Sequence, residues 1–442
     1  MRPDKWNHTK VQKVTGKITM SIYFSFDLKP KNKRFRKKTH IDFDALSQSV
    51  SDIEKSDDLK VEKNAGGVRL EFCPEGILQL DFRPDEDLVK GTCATHLAGP
   101  GFHAAAVNYL IKLAEERELK LTIEDETGYA KHKNFEKMRR EHFYPWLKYM
   151  LGLASENVSR PGFKMCWDID EYVPEVIPDT VVTPIRRFTG SEIAEFLKRD
   201  PEEFATEFFV WNNEKRDALL YRNSALMMMS TKCHFMFSDR SLRDGLENVY
   251  CLLALEKALG MDFRLPFPKK EYRLLCRLHE QEPQSLEGVP ELPHDCVIGY
   301  RRGNIYLTAG QFTYPMYGRC LHRVDRETNS LYFYDEEPGR WHNIDITSLY
   351  SPQENVTFDQ TLFERRDVLG VLNFQAGDGR GRIAEMHPVA LPDSPEGVYF
   401  EMSAQIILDR QMLLVTHRFC RQEERSEVIE WFRSFEGKRR GR

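Results

Sequence analysis

No CxxC pair, no uninterrupted run of about 18 apolar residues and no GxxxxGK[ST], GxGxxG, GxSxG or HExxH motif occurs in the 442 residues of this chain. Each absence narrows the field. Nine cysteines, an odd number, are scattered at Cys73, Cys93, Cys166, Cys233, Cys251, Cys276, Cys296, Cys320 and Cys420. That distribution argues against a disulfide framework and a structural zinc site, and it fits a reducing, cytoplasmic setting. Without a long apolar run no membrane-spanning helix is expected. The basic start, "MRPDKWNHTKVQKVTGK", lacks the apolar stretch a secretory signal requires. The missing nucleotide and hydrolase motifs leave the cofactor unspecified and offer no catalytic signature. An enzyme stays open as a class, because a catalytic triad need not be local in sequence.

What is present describes a folded chain. Hydrophobic residues make up 41% and charged residues 30%, which is ordinary globular composition. The length exceeds one typical core, so two or three domains are expected. The net charge of −5 weighs against general nucleic-acid affinity.

The pattern of elements gives an α+β chain in three sections. Residues 1–157 form an N-terminal α/β domain, 163–290 a mainly helical section, and 291–442 a β-rich section of antiparallel hairpins closed by a helix. The last two sections are candidates for a single domain. In the first, "TMSIYFSFDL" reads as a strand, and Phe43, Leu46 and Val50 share a helical face. "GVRLEFCPEGILQLDF" is a hairpin about its PEG turn. The segment from Phe82 to Gly101 reads as a long loop. Helical spacing of Phe102, Ala106, Tyr109, Leu110 and Leu113 follows, then the alternation "LKLTIEDE". Strand, loop, helix, strand is the order of a crossover unit, with 119–124 expected parallel to 77–82. Pro145 should interrupt the helix at about 133–152.

In the middle section Ser191 is the expected N-cap of a helix. "SDRSLRDGLENVYCLLALEKALG" is the strongest helix, with Leu242, Leu246, Val249, Leu253, Leu255 and Leu259 inside it and Gly260 ending it. Three consecutive methionines, Met227 to Met229, cannot share one helical face and point to a buried segment. In the last section, hairpins are expected about residues 302–304, within "CLHRVDRETNSLYFYDEE" and within "GVYFEMSAQIILDRQMLLVTH". The closing helix carries Val428, Trp431, Phe432 and Phe435.

The stretch "GTCATHLAGPGFHAAAVNYLIKLAEE" is the most chemically suggestive. Thr95, Gly99 and Gly101 bring backbone donors to a helix start, where unpaired N–H groups attract anions. His96 and His103, opposed by Glu124 and Asp125, are the candidate catalytic set, suited to acid–base chemistry. The same residues also suit a plain packing junction. Arg34, Arg36, Lys37 and Lys38 in the basic run are candidate contacts to nucleic-acid phosphates. Phe312, Tyr314 and Tyr317 in "GQFTYPMYG", taken as an exposed loop, form a candidate partner-contact patch. No metal site is expected. The reading that follows is a cytoplasmic multidomain macromolecular-interaction protein whose partner is another protein. The alternative is a hydrolase of a phosphorylated or nucleic-acid substrate, with its site at residues 91–103.

Overall fold

The computed structural model describes residues 21–31, 40–48, 50, 60–64, 66–158, 163–165, 179–183, 185–233, 242–292, 304–325, 327–335 and 341–439. Among these, six strands make the N-terminal sheet: β1 (Tyr23–Pro30), β2 (Lys60–Asn64), β3 (Gly67–Cys73), β4 (Gly76–Arg83), β5 (Leu88–Ala94) and β6 (Leu119–Asp125). Their order is β2-β3-β4-β5-β1-β6, and every neighbouring pair is antiparallel. The PEG hairpin is β3–β4.

Two expectations are corrected here. Part of the supposed loop from Phe82 to Gly101 is strand β5, whose alternation is interrupted by Gly91 and by polar Lys90 and Thr92. Three antiparallel steps separate β4 from β6, so the segment 119–125 runs antiparallel to 76–83, not parallel. The crossover unit survives with a different first strand. β5 and β6 both run antiparallel to β1, which lies between them, and so are parallel to each other. The helix α1 (Pro100–Glu116) connects them.

On β6, Lys120, Thr122 and Glu124 stand exposed while Leu119, Leu121, Ile123 and Asp125 are wholly or partly buried, as strand periodicity requires. Pro145 lacks the N–H that would bond back to Glu141. There the helix widens into a π-type turn at Arg139–Phe143 before α2 (Tyr144–Asn157) begins.

The helical section packs onto that sheet. α3 (Ala218–Thr231) is buried on nearly all sides, Met227, Met228 and Met229 included. Beside it runs α4 (Leu242–Met261), then α5 (Lys269–Leu278). One continuous core reaches from Ile22 through Phe102, Trp146 and Met229 to Val289. The helices thus share their core with the N-terminal sheet, not with the β-rich section. Leu246 and Leu253 are about half exposed, while Cys251, Leu252, Leu255 and Leu259 face inward. A small sheet of β7 (Phe163–Lys164), β8 (Thr180–Val182) and β9 (Arg187–Thr189) lies between the sections in sequence. The next helix is capped by Thr189, in a capping box with Glu192, rather than by Ser191.

The β-rich section has its own core. β10 (Asn304–Ala309) and β11 (Phe312–Tyr317) turn at Gly310-Gln311 and are joined by β20 (Glu436–Gly437). The turn expected at 302–304 falls mostly outside the described residues. The larger sheet comprises β12 (Leu321–Asp325), β13 (Ser330–Tyr334), β14 (His342–Tyr350), β15 (Val368–Ala376), β16 (Gly379–Met386), β18 (Val398–Leu408) and β19 (Gln411–Phe419), with β17 (Val389–Ala390) pairing beside β18. The other two expected hairpins are β12–β13 and β18–β19. The helix α6 (Arg425–Arg433) closes this core with Val428, Trp431 and Phe432, followed by Phe435. The chain is α+β. No helix among the described residues is long and apolar enough to cross a membrane.

Candidate functional site

The strand ends at the glycine loop meet as the crossover demands. Tyr23 pairs with Ala94, and Phe24 with Asp125, so the carboxyl ends of β5 and β6 lie on one sheet edge. His103, in the first turn of α1, points into that edge. Its Nδ1 is 3.0 Å from Thr95 Oγ1, and its Nε2 is 3.3 Å from both Thr127 Oγ1 and Asp125 Oδ1. Asp125 also accepts from the backbone N–H groups of Thr127 and Ala130 and from the Thr127 hydroxyl. Burial pushes its carboxyl up. The hydrogen bond and charge of His103, with the Ala130 and Thr127 donors, outweigh burial and hold it well below the usual carboxylate range.

The structure thus joins His103, Asp125 and Thr95, and separates the other two candidates. His96 lies with its ring centroid 5.3 Å from that of Trp146, where burial lowers it from the ordinary histidine value. Glu124 is on the opposite face of β6, in a shallow polar hollow with Asp27, Asp81 and Lys90. Adjacent strand residues cannot share a face.

The loop is also filled. The Gly101 N–H donates to the Trp211 carbonyl, and the Trp211 N–H donates to the Ala98 carbonyl. Gly99 has φ 112°, a left-handed geometry that favours glycine. A Cβ on Gly101 would come within 2.0 Å of the Trp211 ring. These glycines let the 209–213 segment approach the helix start, and His103 is completely buried beneath it.

Of the other sequence candidates, Arg34, Arg36, Lys37 and Lys38 lie outside the described residues. Phe312, Tyr314 and Tyr317 are corrected from loop to strand β11. Phe312 and Tyr314 are fully buried, with Tyr314 stacked on Phe435, so neither is available to a partner. Tyr317 is half-buried against His342. No group of His, Cys, Asp and Glu among the described residues is arranged to hold a metal.

A groove of about 340 Å³ opens elsewhere, at the end of β3 against α3 and α4. Its floor is apolar: Phe72 and Cys73 from β3, Leu220 and Met228 from α3. Its walls are Tyr221 and Tyr250. Three cations and one carboxylate complete the lining: Lys60, Arg216, Lys257 and Glu71. Lys60, on edge strand β2, reaches Glu247 at 3.2 Å and lies 4.3 Å from the Tyr250 ring centre. Lys257 lies 4.3 Å from the centre of the Tyr221 ring, and Arg216 stacks on Trp211. Such cation–aromatic contacts hold flexible side chains in place. Glu71 is bonded to Lys232 at 3.0 Å. Burial alone would lower that lysine, but the charges of Glu71 and Glu247 hold it above its ordinary value. Of these charged lining residues, Lys60 and Glu71 are thus each ion-paired. Cys73 is no nucleophile here, because burial raises its thiol far out of the reactive range.

The groove continues onto an exposed apolar stripe. Leu246, Tyr250, Leu253 and Met261 recur on one face of α4, and Leu253 is 55% exposed. Sequence reasoning missed this site because its residues come from four separate segments. The spacing of 246, 250, 253, 257 and 261 was the available signal.

No family model matches the chain, and no curated protein matches it. A solved structure from Bacteroides thetaiotaomicron VPI-5482 is similar to part of it at 15% identity, covering 32% of this chain and 50% of that chain, with a TM-score of 0.25. This chain spans half the length of that protein, and a likeness so slight carries no argument about fold or function.

Proposed function

We propose that this is a multidomain macromolecular-interaction protein that docks a protein partner on the outer face of α4 and in the groove beside it. The observation that carries this reading is the run of Leu246, Tyr250, Leu253 and Met261 exposed along one helical face. Large contiguous apolar exposure is uncommon on proteins without partners, and tyrosine beside desolvated apolar anchors is the composition of a binding hot spot. The seven described cysteines are free and buried, which supports a reducing, cytoplasmic compartment. The hydrolase reading at residues 91–103 has one observation in its favour, the His103–Asp125 pair. It is the weaker reading, since that ring has no exposed surface and Trp211 covers the helix start.

A photo-crosslinking residue at Leu253 tests the proposal. In extract of the source cells, the expected result is a covalent adduct of discrete mass. The same residue at Leu369, an equally exposed leucine on β15, should give none. No discrete adduct at 253, or the same adducts at both positions, would overturn the reading.

A further inference from the structure

We infer that β6 is a self-pairing edge: two copies of this chain join antiparallel along Leu119–Asp125, about a two-fold axis at Thr122. β6 is the last strand of its sheet. Among the described residues β1 is its one strand neighbour, which leaves the other edge open. An open edge is a template for a further strand. Beside it lies a groove of about 630 Å³ between β6 and α1. Leu121 and Ile123 of β6 and Ile111 of α1 line that groove, and each is only partly buried. A strand added to β6 would cover them.

The charges identify that strand. Lys120, Thr122 and Glu124 stand exposed on the outer face of β6. Neither Lys120 nor Glu124 has an ion pair or hydrogen bond among the described residues. On β1, Lys120 is opposite Lys29, which itself lies 3.3 Å from Asp27, and Glu124 is opposite Ser25. Four residues along a strand span about 13 Å, so the two charges cannot pair within one chain. In an antiparallel copy centred on Thr122, Lys120 faces Glu124 on both sides of the axis and Leu121 faces Ile123. All seven positions of the strand are then matched. Opposite charges directly across antiparallel strands stabilise the pairing, and like charges oppose it. Residues paired in this way share a face, so the two apolar grooves meet on one side of the joined sheet. The contact is isologous, as a two-fold dimer requires. Asp125, at the end of the strand, is already held by His103 and Thr127 and takes no part. The sheet's other edge lacks such a match, since a copy of β2 centred on its middle residue would set Glu62 against itself.

The test is sedimentation velocity of the full chain over a dilution series, with charge reversals on the edge. The wild type should pass from one chain of 51.8 kDa to two as concentration rises. The dimer should weaken as salt shortens the reach of the charges. Lys120→Glu and Glu124→Lys, each alone, place like charges opposite one another twice and should weaken the dimer at least about tenfold. Mixing the two variants sets opposite charges across both contacts again and should restore a dimer containing one chain of each. Both residues are exposed, and circular dichroism confirms the fold of each variant. A wild type that stays monomeric at every concentration overturns the inference; that is also the result if the edge receives a strand of another protein. Single variants that dimerise as the wild type does overturn it too, because the contact then lies elsewhere, the α4 face included. Single variants that dissociate and do not recover on mixing overturn the pairing of Lys120 with Glu124.

Discussion

His103 Nε2 and Asp125 Oδ1 lie 3.3 Å apart, and neither side chain reaches solvent. Asp125 simultaneously holds the turn that follows β6, through two backbone donors. Removing it takes one partner from the buried His103, which keeps Thr95 and Thr127, and leaves two backbone N–H groups without theirs. Asp125→Ala should therefore cost about 3 kcal/mol or more in chemical denaturation. The pH dependence has a definite sign. A carboxyl held below its unfolded value contributes stability above about pH 4 that is lost as pH falls further. Asp125→Asn should flatten that acid limb. An Asp125→Ala protein as stable as wild type would mean the pair holds nothing together.

Glycine substitutions should separate two kinds of site. Gly101→Ala drives a methyl into Trp211 and the Asn213 carbonyl and should destabilise by about 1–3 kcal/mol. Gly152→Ala, inside α2 with nothing within 4 Å, should stabilise by about 0.5–1 kcal/mol. Thermal melts of the two variants should shift in opposite directions.

His96, partly buried, and His417, wholly buried, are both depressed, mainly by desolvation; the charge of neighbouring His342 adds to the effect at His417. The unfolded imidazoles take up protons below about pH 6.5 while the folded ones resist. This part of the stability is fully present above that value and declines as pH drops from 7 to 5. The unfolding midpoint should fall across that interval, and less steeply in His96→Phe. A midpoint that is flat or rises from pH 7 to 5 contradicts the assignment.

Neighbouring leucines on α4 make a matched pair. Leu252 is buried and Leu253 exposed. Leu252→Ala should cost about 2–5 kcal/mol through the cavity it leaves. Leu253→Ala should stay within about 0.5 kcal/mol while weakening partner binding. If the two substitutions are equally destabilising, Leu253 belongs to the core and the docking face loses its central anchor.

Where the chain alternates or repeats cleanly, its structure was legible. The β3–β4 and β18–β19 hairpins, α1, β6 and the closing helix all follow from period. β5 did not, because Lys90, Gly91 and Thr92 break its apolar rhythm and only pairing on both sides makes it a strand. The meeting of His103 with Asp125 was legible from the crossover. Glu124 could have been set apart from Asp125 by strand periodicity alone. The stripe on α4 was hidden by abundance. Its apolar residues were noted as lying inside the helix without being sorted into a buried and an exposed face. The groove had no local signal, since Lys60, Cys73, Arg216, Tyr221 and Lys257 come together only in space.

β1 runs between β5 and β6, with Phe24 paired to both Cys93 and Asp125. Its second partner lies about a hundred residues downstream. As the chain leaves the ribosome, the earliest strand must therefore wait with one edge open until β6 has emerged. Pairings so distant in sequence form slowly, and an open apolar edge is a template for the wrong strand. The N-terminal sheet is thus exposed to misassembly during synthesis, and slowed translation before residue 119 would prolong that exposure.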